Sequence, residues 1–280
     1  MLNVATIAHQ YRPMIDTRRA NAARVWNYWL GGKDNYPIDQ ELGEQIRVRI
    51  PAITDLARAS RGFGHRAVRH LTGAHGIRQF LDIGTGLPMT PHTHHLAQAL
   101  APECRIVYVD HDPLVLAHAR ALLTGTPPGR TDHLHADLRD PDTILREAAR
   151  TLDLTRPVAL MLLGVLNFIV EDDQAHAVVT RLLDALPAGS YLLLSHPTAE
   201  VHREAMLEYQ RLWNERATPP ITIRSPQQLT RFFTPLELLK PGVVPCSLWR
   251  PDPTQIGSPV AVDAFCGVGR KPMPPQCFQS

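Results

Sequence analysis

Arg78-Gln79-Phe80-Leu81-Asp82-Ile83-Gly84-Thr85-Gly86-Leu87-Pro88 is the stretch that decides how this chain is read. Phe80, Leu81 and Ile83 form a short apolar run bounded by glycines, the pattern of a buried strand rather than a helix. Asp82 stands inside that run, where an unpaired carboxylate is costly to bury. Gly84 and Gly86 follow at once, and glycine lets a chain turn sharply and bring its backbone against a ligand. From about Pro91 to Leu100 the pattern turns helical. Strand, glycine turn and helix open a nucleotide-binding βαβ unit. The triplet alone also fits a plain tight turn with a capping carboxylate, so the following strands carry the weight.

The next apolar run, Ile106-Val107-Tyr108-Val109, ends on Asp110 and His111. Asp110 lies 24 positions beyond Gly86 (110 − 86), near the interval at which such an acid meets a ribose hydroxyl. A strand-end acid of this kind is expected to be exposed. A dinucleotide site needs a third glycine at the helix start, and Pro88-Met89-Thr90-Pro91 stands there instead. A nucleoside without phosphates fits better, S-adenosylmethionine (SAM) being the commonest. Asp137, after His133-Leu134-His135-Ala136, closes the third strand where it can meet an adenine amino group, with His111 and Leu138 as adenine walls.

LDIGTGLP (81–88), VYVDHDPLVLAHARALL (107–123) and HADLRDP (135–141) resemble class I SAM-dependent methyltransferases. More narrowly, the chain resembles the actinobacterial S-adenosyl methyltransferase family, long known as a domain of unknown function. ARVWNYWLGGKDNYPID (23–39) and the segment from Phe232-Phe233 through LELLKPGVVPCSLWRPD (236–252) look like the same family, so the resemblance runs from about Asp16 to Gly269. It implies an α/β Rossmann-like fold: a mostly parallel sheet with an antiparallel last strand, plus an N-terminal helical cap. The expected organisation is an arm and cap over 1–76, a SAM-binding core over 77–270 and a tail over 271–280. The implied activity is methyl transfer from SAM, leaving S-adenosylhomocysteine (SAH), to a small-molecule acceptor in secondary metabolism. The alternatives are a repurposed cyclase or lyase, or a SAM-binding regulatory protein without turnover.

Strands are expected at Phe80–Ile83, Ile106–Asp110, His133–Ala136, Val158–Leu163, Tyr191–Ser195, about Val244–Trp249 and Val260–Val268. Helices between the earlier ones argue for a parallel sheet covered on both faces. Helices are also expected over Thr17–Leu30, Pro37–Arg49 and Ile53–Leu71, the last weakened at Gly62 and Gly64. Ser225-Pro226-Gln227-Gln228 reads as a capping box with proline at the first helical position.

Cofactor contacts are expected from Asp82, Gly84, Thr85 and Gly86 at the amino-acid end of SAM, and from Asp110 at the ribose. The Gly31-Gly32 turn is either a helix stop or part of a lid. As a lid, Arg24, Tyr28, Gly32, Lys33, Asn35 and Tyr36 would surround the donor, with Tyr28 and Trp29 bordering the acceptor. Gly164 to Asn167 leave the fourth strand near the transferred methyl group. The family usually has His where this chain has Asn167, and Asn cannot act as a general base near neutral pH. His196 is the imidazole left near that rim, either a base or a structural residue bonded to backbone. His92, His94 and His95, and His133 with His135, show no convergence that a metal would require, so no metal is expected.

With 280 residues, 44% hydrophobic, 20% charged and a formal charge of +2, the composition is that of a globular chain without a nucleic-acid footprint. Met1 to Ile7 lack a signal-peptide pattern, and no run approaches a membrane span. Cys104, Cys246, Cys266 and Cys277 form no CxxC pair, which argues against a zinc knuckle or redox motif; a reduced cytoplasm is the default expectation, and a monomer or homodimer is expected.

Overall fold

The computed structural model describes residues 16–122, 127–252 and 259–273. The expected arm over 1–15, Cys277 and the tail beyond 273 lie outside the described residues. A two-residue strand, β1 (Ala20–Asn21), leads into α1 (Ala22–Trp29), α2 (Pro37–Arg49) and α3 (Ile53–Ala74). Strands and helices then alternate: β2 (Gln79–Ile83), α4 (Thr93–Leu100), β3 (Arg105–Asp110), α5 (Pro113–Leu122), β4 (Arg130–His135), α6 (Pro141–Ala148) and β5 (Ala159–Leu163). Next come α7 (Asp172–Asp184), β6 (Tyr191–Pro197), α8 (Arg203–Arg216), β7 (Ala217–Thr218) and α9 (Pro226–Arg231). β8 (Glu237–Leu238), β9 (Val244–Pro245) and β10 (Ala264–Arg270) complete the chain.

The main sheet runs β4-β3-β2-β5-β6-β10-β8, with β9 also paired to β10. β2 to β6 pair in parallel, and β10 runs antiparallel to β6. The chain moves outward from β2 through β3 to β4, then returns to the other side of β2 for β5. That reversal opens a crevice at the carboxyl ends of β2 and β5, the place where open α/β sheets bind ligands.

Alternation along the central strands builds two cores. Phe80, Ala159, Met161 and Leu193 face α3, α4 and α8, whereas Leu81, Ile83, Leu160, Leu162 and Leu194 face α6, α7 and α9. Burial on both faces explains why these strands read as continuous apolar runs. Asp82 falls on the Phe80 side by the period of two. No helix among the described residues is long and apolar enough to cross a membrane.

Three expectations are corrected. α3 runs unbroken through Gly62 and Gly64. A side chain at Gly64 would come 2.8 Å from Leu163 Cδ1, so this glycine permits close approach to the sheet. The strand expected over Val244–Trp249 is reduced to β9 and a 3-10 turn at Cys246–Leu248. Arg66 takes the Cys246 and Trp249 carbonyls at 2.6 and 2.9 Å, which removes them from any ladder. The last strand begins at Ala264 rather than Val260 because buried Asp263 caps the segment before α8. Its carboxylate accepts from the Glu200, Val201 and His202 amides. The Ser225 capping box and the helix Pro37–Arg49 form as expected.

The N-terminal helices are held together by one buried carboxylate. Asp39, at the third helical position behind Pro37, accepts from the Asn21 and Tyr36 amides and from Arg24 Nε at 2.7 Å. Both members of the ion pair are almost fully buried. Removing one partner from such a pair costs about 3–5 kcal/mol. Arg24→Met is therefore expected to lower unfolding free energy by about that amount in a urea titration; a loss below about 1 kcal/mol would show that Asp39 is satisfied without it.

Candidate active site

The crevice is a cavity of two joined lobes, of about 140 and 170 Å³. Gly84, Thr85, Gly86, Leu163, Gly164 and Ser195 line both and form their common floor. Gly84, Gly86 and Gly164 take φ of +77°, +63° and +68°, the left-handed region that glycine adopts without steric cost. Gly84 also has no room for a side chain, since a Cβ there would lie 2.5 Å from Val165. The backbone therefore comes directly to the cavity wall.

The first lobe is the more polar of the two. Asp82, Arg61, His65, His92, Thr93 and Tyr108 line it. Burial pushes the Asp82 carboxyl up to about 6, against the Thr93 hydroxyl that donates to it at 2.8 Å. Arg61 donates to the carbonyls of Met89 and Pro91, and burial lowers its basicity. Burial also pushes His65 and His92 down to about 4, leaving both neutral near pH 7 and Arg61 as the lobe's cation.

The second lobe begins at Asp110 and ends among aromatic rings. Asp110 is not exposed as expected: 8% of it is accessible, and each carboxylate oxygen already accepts a backbone amide, from Gly86 at 3.0 Å and Asp112 at 2.9 Å. Burial raises its pKa, and those two amides oppose the rise. Each oxygen keeps a lone pair for a ligand hydroxyl. His111 lines the lobe at its rim, 3.7 Å from Asp110. Farther in stand Trp26, Phe168, Tyr209 and Trp213, with Asn167 and His196.

Several residues named from sequence lie elsewhere. Arg24 is committed to Asp39 and to the carbonyls of Asp16 and Arg19. The Tyr28 hydroxyl donates to Glu44, and Trp29 donates to the Gly43 carbonyl within the core. Lys33 is exposed; Asn35 donates to Asn27 and to the Gly32 carbonyl; Tyr36 lies under the Arg24 guanidinium. None of Arg24, Tyr28, Gly32, Lys33, Asn35 or Tyr36 lines the two lobes. The face of α1 that does so carries Ala23, Trp26, Asn27 and Leu30, a stripe at i, i+3, i+4 and i+7. Helical periodicity was the signal for it, since 24 and 28 lie on another face. Asp137 pairs with Arg139 at 3.2 Å and Leu138 packs in the opposite core, so neither lines the cavity. Arg61 had no local signal: an arginine mid-helix acquires meaning only where α3 crosses the glycine loop.

His196 is corrected as a base. Its Nδ1 donates to the Pro197 carbonyl at 2.8 Å, and its Nε2 accepts from Arg224 Nη1 at 2.9 Å. Burial, with Arg224 adjoining, drives its pKa to about 3, so no nitrogen is free to take a proton. Arg224 is held in turn by Asp172 at 2.7 Å and by the carbonyls of Leu166 and Ile169. Of the histidines considered for a metal, His92, His94 and His95 pack on one another, and His133 stacks on Tyr108. Among the described residues no group of three or more His, Cys, Asp or Glu converges on a metal position.

Because His196 is held neutral when folded, the unfolded chain takes up a proton below pH 6.5 that the native state refuses. Its contribution is complete above pH 6.5 and is lost as pH falls toward 3, at about 1.4 kcal/mol per pH unit. Between pH 6.5 and 5.0 the wild type is expected to lose about 2 kcal/mol more stability than His196→Gln. Parallel pH curves for the two proteins would contradict the neutral, doubly bonded imidazole.

Among solved structures, the chain is similar to a DUF574 family protein from Streptomyces avermitilis, at 43% identity and TM-score 0.88, covering 92% of this chain and 99% of that one. It is also similar to a putative methyltransferase from Thermobifida fusca, at 38% identity and TM-score 0.84, covering 93% and 98%. Mitomycin 7-O-methyltransferase shares the fold at 15% identity and TM-score 0.51, covering 84% of this chain and 69% of that one. Comparison with curated proteins found no match. The S-adenosyl methyltransferase family matches residues 8–272, essentially the whole described fold. The chain belongs to the S-adenosyl methyltransferase family, whose donor is SAM.

Proposed function

We propose that this protein transfers the methyl group of SAM to a small-molecule acceptor held in the second lobe. The observation that carries the reading is the joined cavity itself, charged and polar at one end, aromatic at the other, with backbone glycines between them. SAM supplies an electrophilic methyl group on a positively charged sulfur. The residues of the first lobe fit its amino-acid end: Arg61 would hold the carboxylate, and Asp82 would hold the ammonium group. Asp110 would accept from the ribose hydroxyls, and His111 would border the adenine. The helices before Gly76 would act as a cap, presenting Trp26 to both lobes.

An aromatic lobe walled by Trp26 from the cap and Trp213 from α8 suits a compact acceptor rather than a polymer. Positioning donor and acceptor in line can supply much of the rate of such a displacement.

Two substitutions test the donor assignment by titration calorimetry. Arg61→Met is expected to weaken SAM by roughly 10–100-fold while barely changing 5′-methylthioadenosine, which lacks the amino-acid end. Equal losses for both ligands would place Arg61 outside that end of the site. Asp110→Ala should weaken both ligands by about the same factor. It should also destabilise the fold by about 1–3 kcal/mol, because the Gly86 and Asp112 amides lose their acceptor. Micromolar binding of NAD with none of SAM would sink the reading. SAM binding without SAH formation across an acceptor panel would favour a binding protein without turnover.

A further inference from the structure

A hollow of about 250 Å³ adjoins the second lobe at the start of α1. Asn21, His111 and Asp112 line both the hollow and the lobe, so they stand where one passes into the other. His111 is exposed, and Asn21 and Asp112 are half-buried, so all three meet solvent. Across this mouth Asn21 Nδ2 donates to Asp112 Oδ2 at 3.0 Å, a bond between residues 91 positions apart.

Each partner also serves its own neighbourhood. Asn21 Oδ1 caps α1 by accepting from the Ala23 and Arg24 amides, and the Asn21 amide is itself held by Asp39. Asp112 Oδ1 accepts from the Leu114 amide at the start of α5, while the Asp112 amide donates to Asp110. The bond between Nδ2 and Oδ2 is the part of this arrangement that neither helix start requires. Both residues are half-buried, so water can replace the bond when they separate, which keeps the net cost small. Such a contact can break and re-form without unfolding either helix. It joins cap to core two residues from Asp110, where the donor ribose would lie.

We propose that Asn21 and Asp112 form a latch across the mouth of the second lobe, and that donor and product pass through this mouth when the latch opens. This rests on the methyltransferase reading above. With the latch closed, the cap and the β3–α5 loop wall the lobe together. On opening, both side chains are hydrated and the hollow becomes continuous with the lobe. A latch of this kind sets rates rather than affinity, because opening is needed equally for entry and for release.

The test measures SAH association and dissociation rates by stopped-flow tryptophan fluorescence, since Trp26 lines the same lobe. Serine and aspartate both cap helices well, so Asn21→Ser and Asn21→Asp keep the α1 cap while removing the donor to Asp112. In Asn21→Ser both rates are expected to rise about tenfold, with Kd within about threefold of wild type. Asn21→Asp should raise both at least as far, because two carboxylates then face each other. The exchanged pair, Asn21→Asp with Asp112→Asn, rebuilds the bond in the opposite direction and keeps both caps. It should return both rates to within about threefold of wild type. Unchanged rates in the single variants overturn the latch. So does faster dissociation with association unchanged, which would make Asn21 a ligand contact. Rates that stay high in the exchanged pair overturn it as well. Failure of SAH to bind the wild type overturns the donor assignment, and this proposal with it.

Discussion

The cavity exists because the chain leaves β2 and β5 in opposite directions around the sheet. Two neighbouring parallel strands then end side by side with no connection crossing between them, and their carboxyl ends remain uncovered. The turns at Gly84 and Gly164 both need left-handed backbone, and at Gly84 the Val165 side chain leaves no space for a Cβ. Any larger residue at Gly84 would push the two strand ends apart. The polar lobe, the shared floor and the aromatic lobe are arranged around that crevice.

The N-terminal helices, which contribute Trp26 and Arg61 to the cavity wall, are tied together through Asp39. Its carboxylate ties the start of α1, the start of α2 and the Arg24 side chain into one buried knot. With Arg24 turned into that knot, the opposite stripe of α1 faces the cavity. A second knot, Asp172–Arg224–His196, supports the far wall below Asn167. Arg224 also holds the Leu166 and Ile169 carbonyls on either side of Asn167, which fixes the 3-10 turn. Both knots place charged groups near the cavity while directing them away from it. His196 in particular has both ring nitrogens engaged, although it lines the aromatic lobe.

Aspartate, histidine and arginine in a strand-loop pattern look alike whether they meet a ligand or a neighbour. His196 illustrates this: its position after β6 is that of a candidate base, yet Arg224, 28 positions onward, occupies the nitrogen that would act. Asn167 shows the converse. Its side-chain oxygen is buried without a partner among the described residues, which only the tertiary structure reveals.

The sequence by itself determined the parallel strands of the sheet and the glycine loop, because buried strands need apolar runs and left-handed turns need glycine. It also determined the helix starts at Pro37 and Ser225, since caps and prolines act on their nearest neighbours in the chain. The bond of Asp110 to the Gly86 amide joins two such local features that the βαβ pattern already brings together. Only the tertiary structure decided which side chains face the cavity. Arg24 turned to Asp39, Arg66 removed two carbonyls from a strand ladder, and Arg61 met the loop at Met89 and Pro91. Each of these arginines is long, flexible and satisfied by whichever acceptor the packed helices present. Its role is therefore set by contacts distant in sequence, which local periodicity does not record.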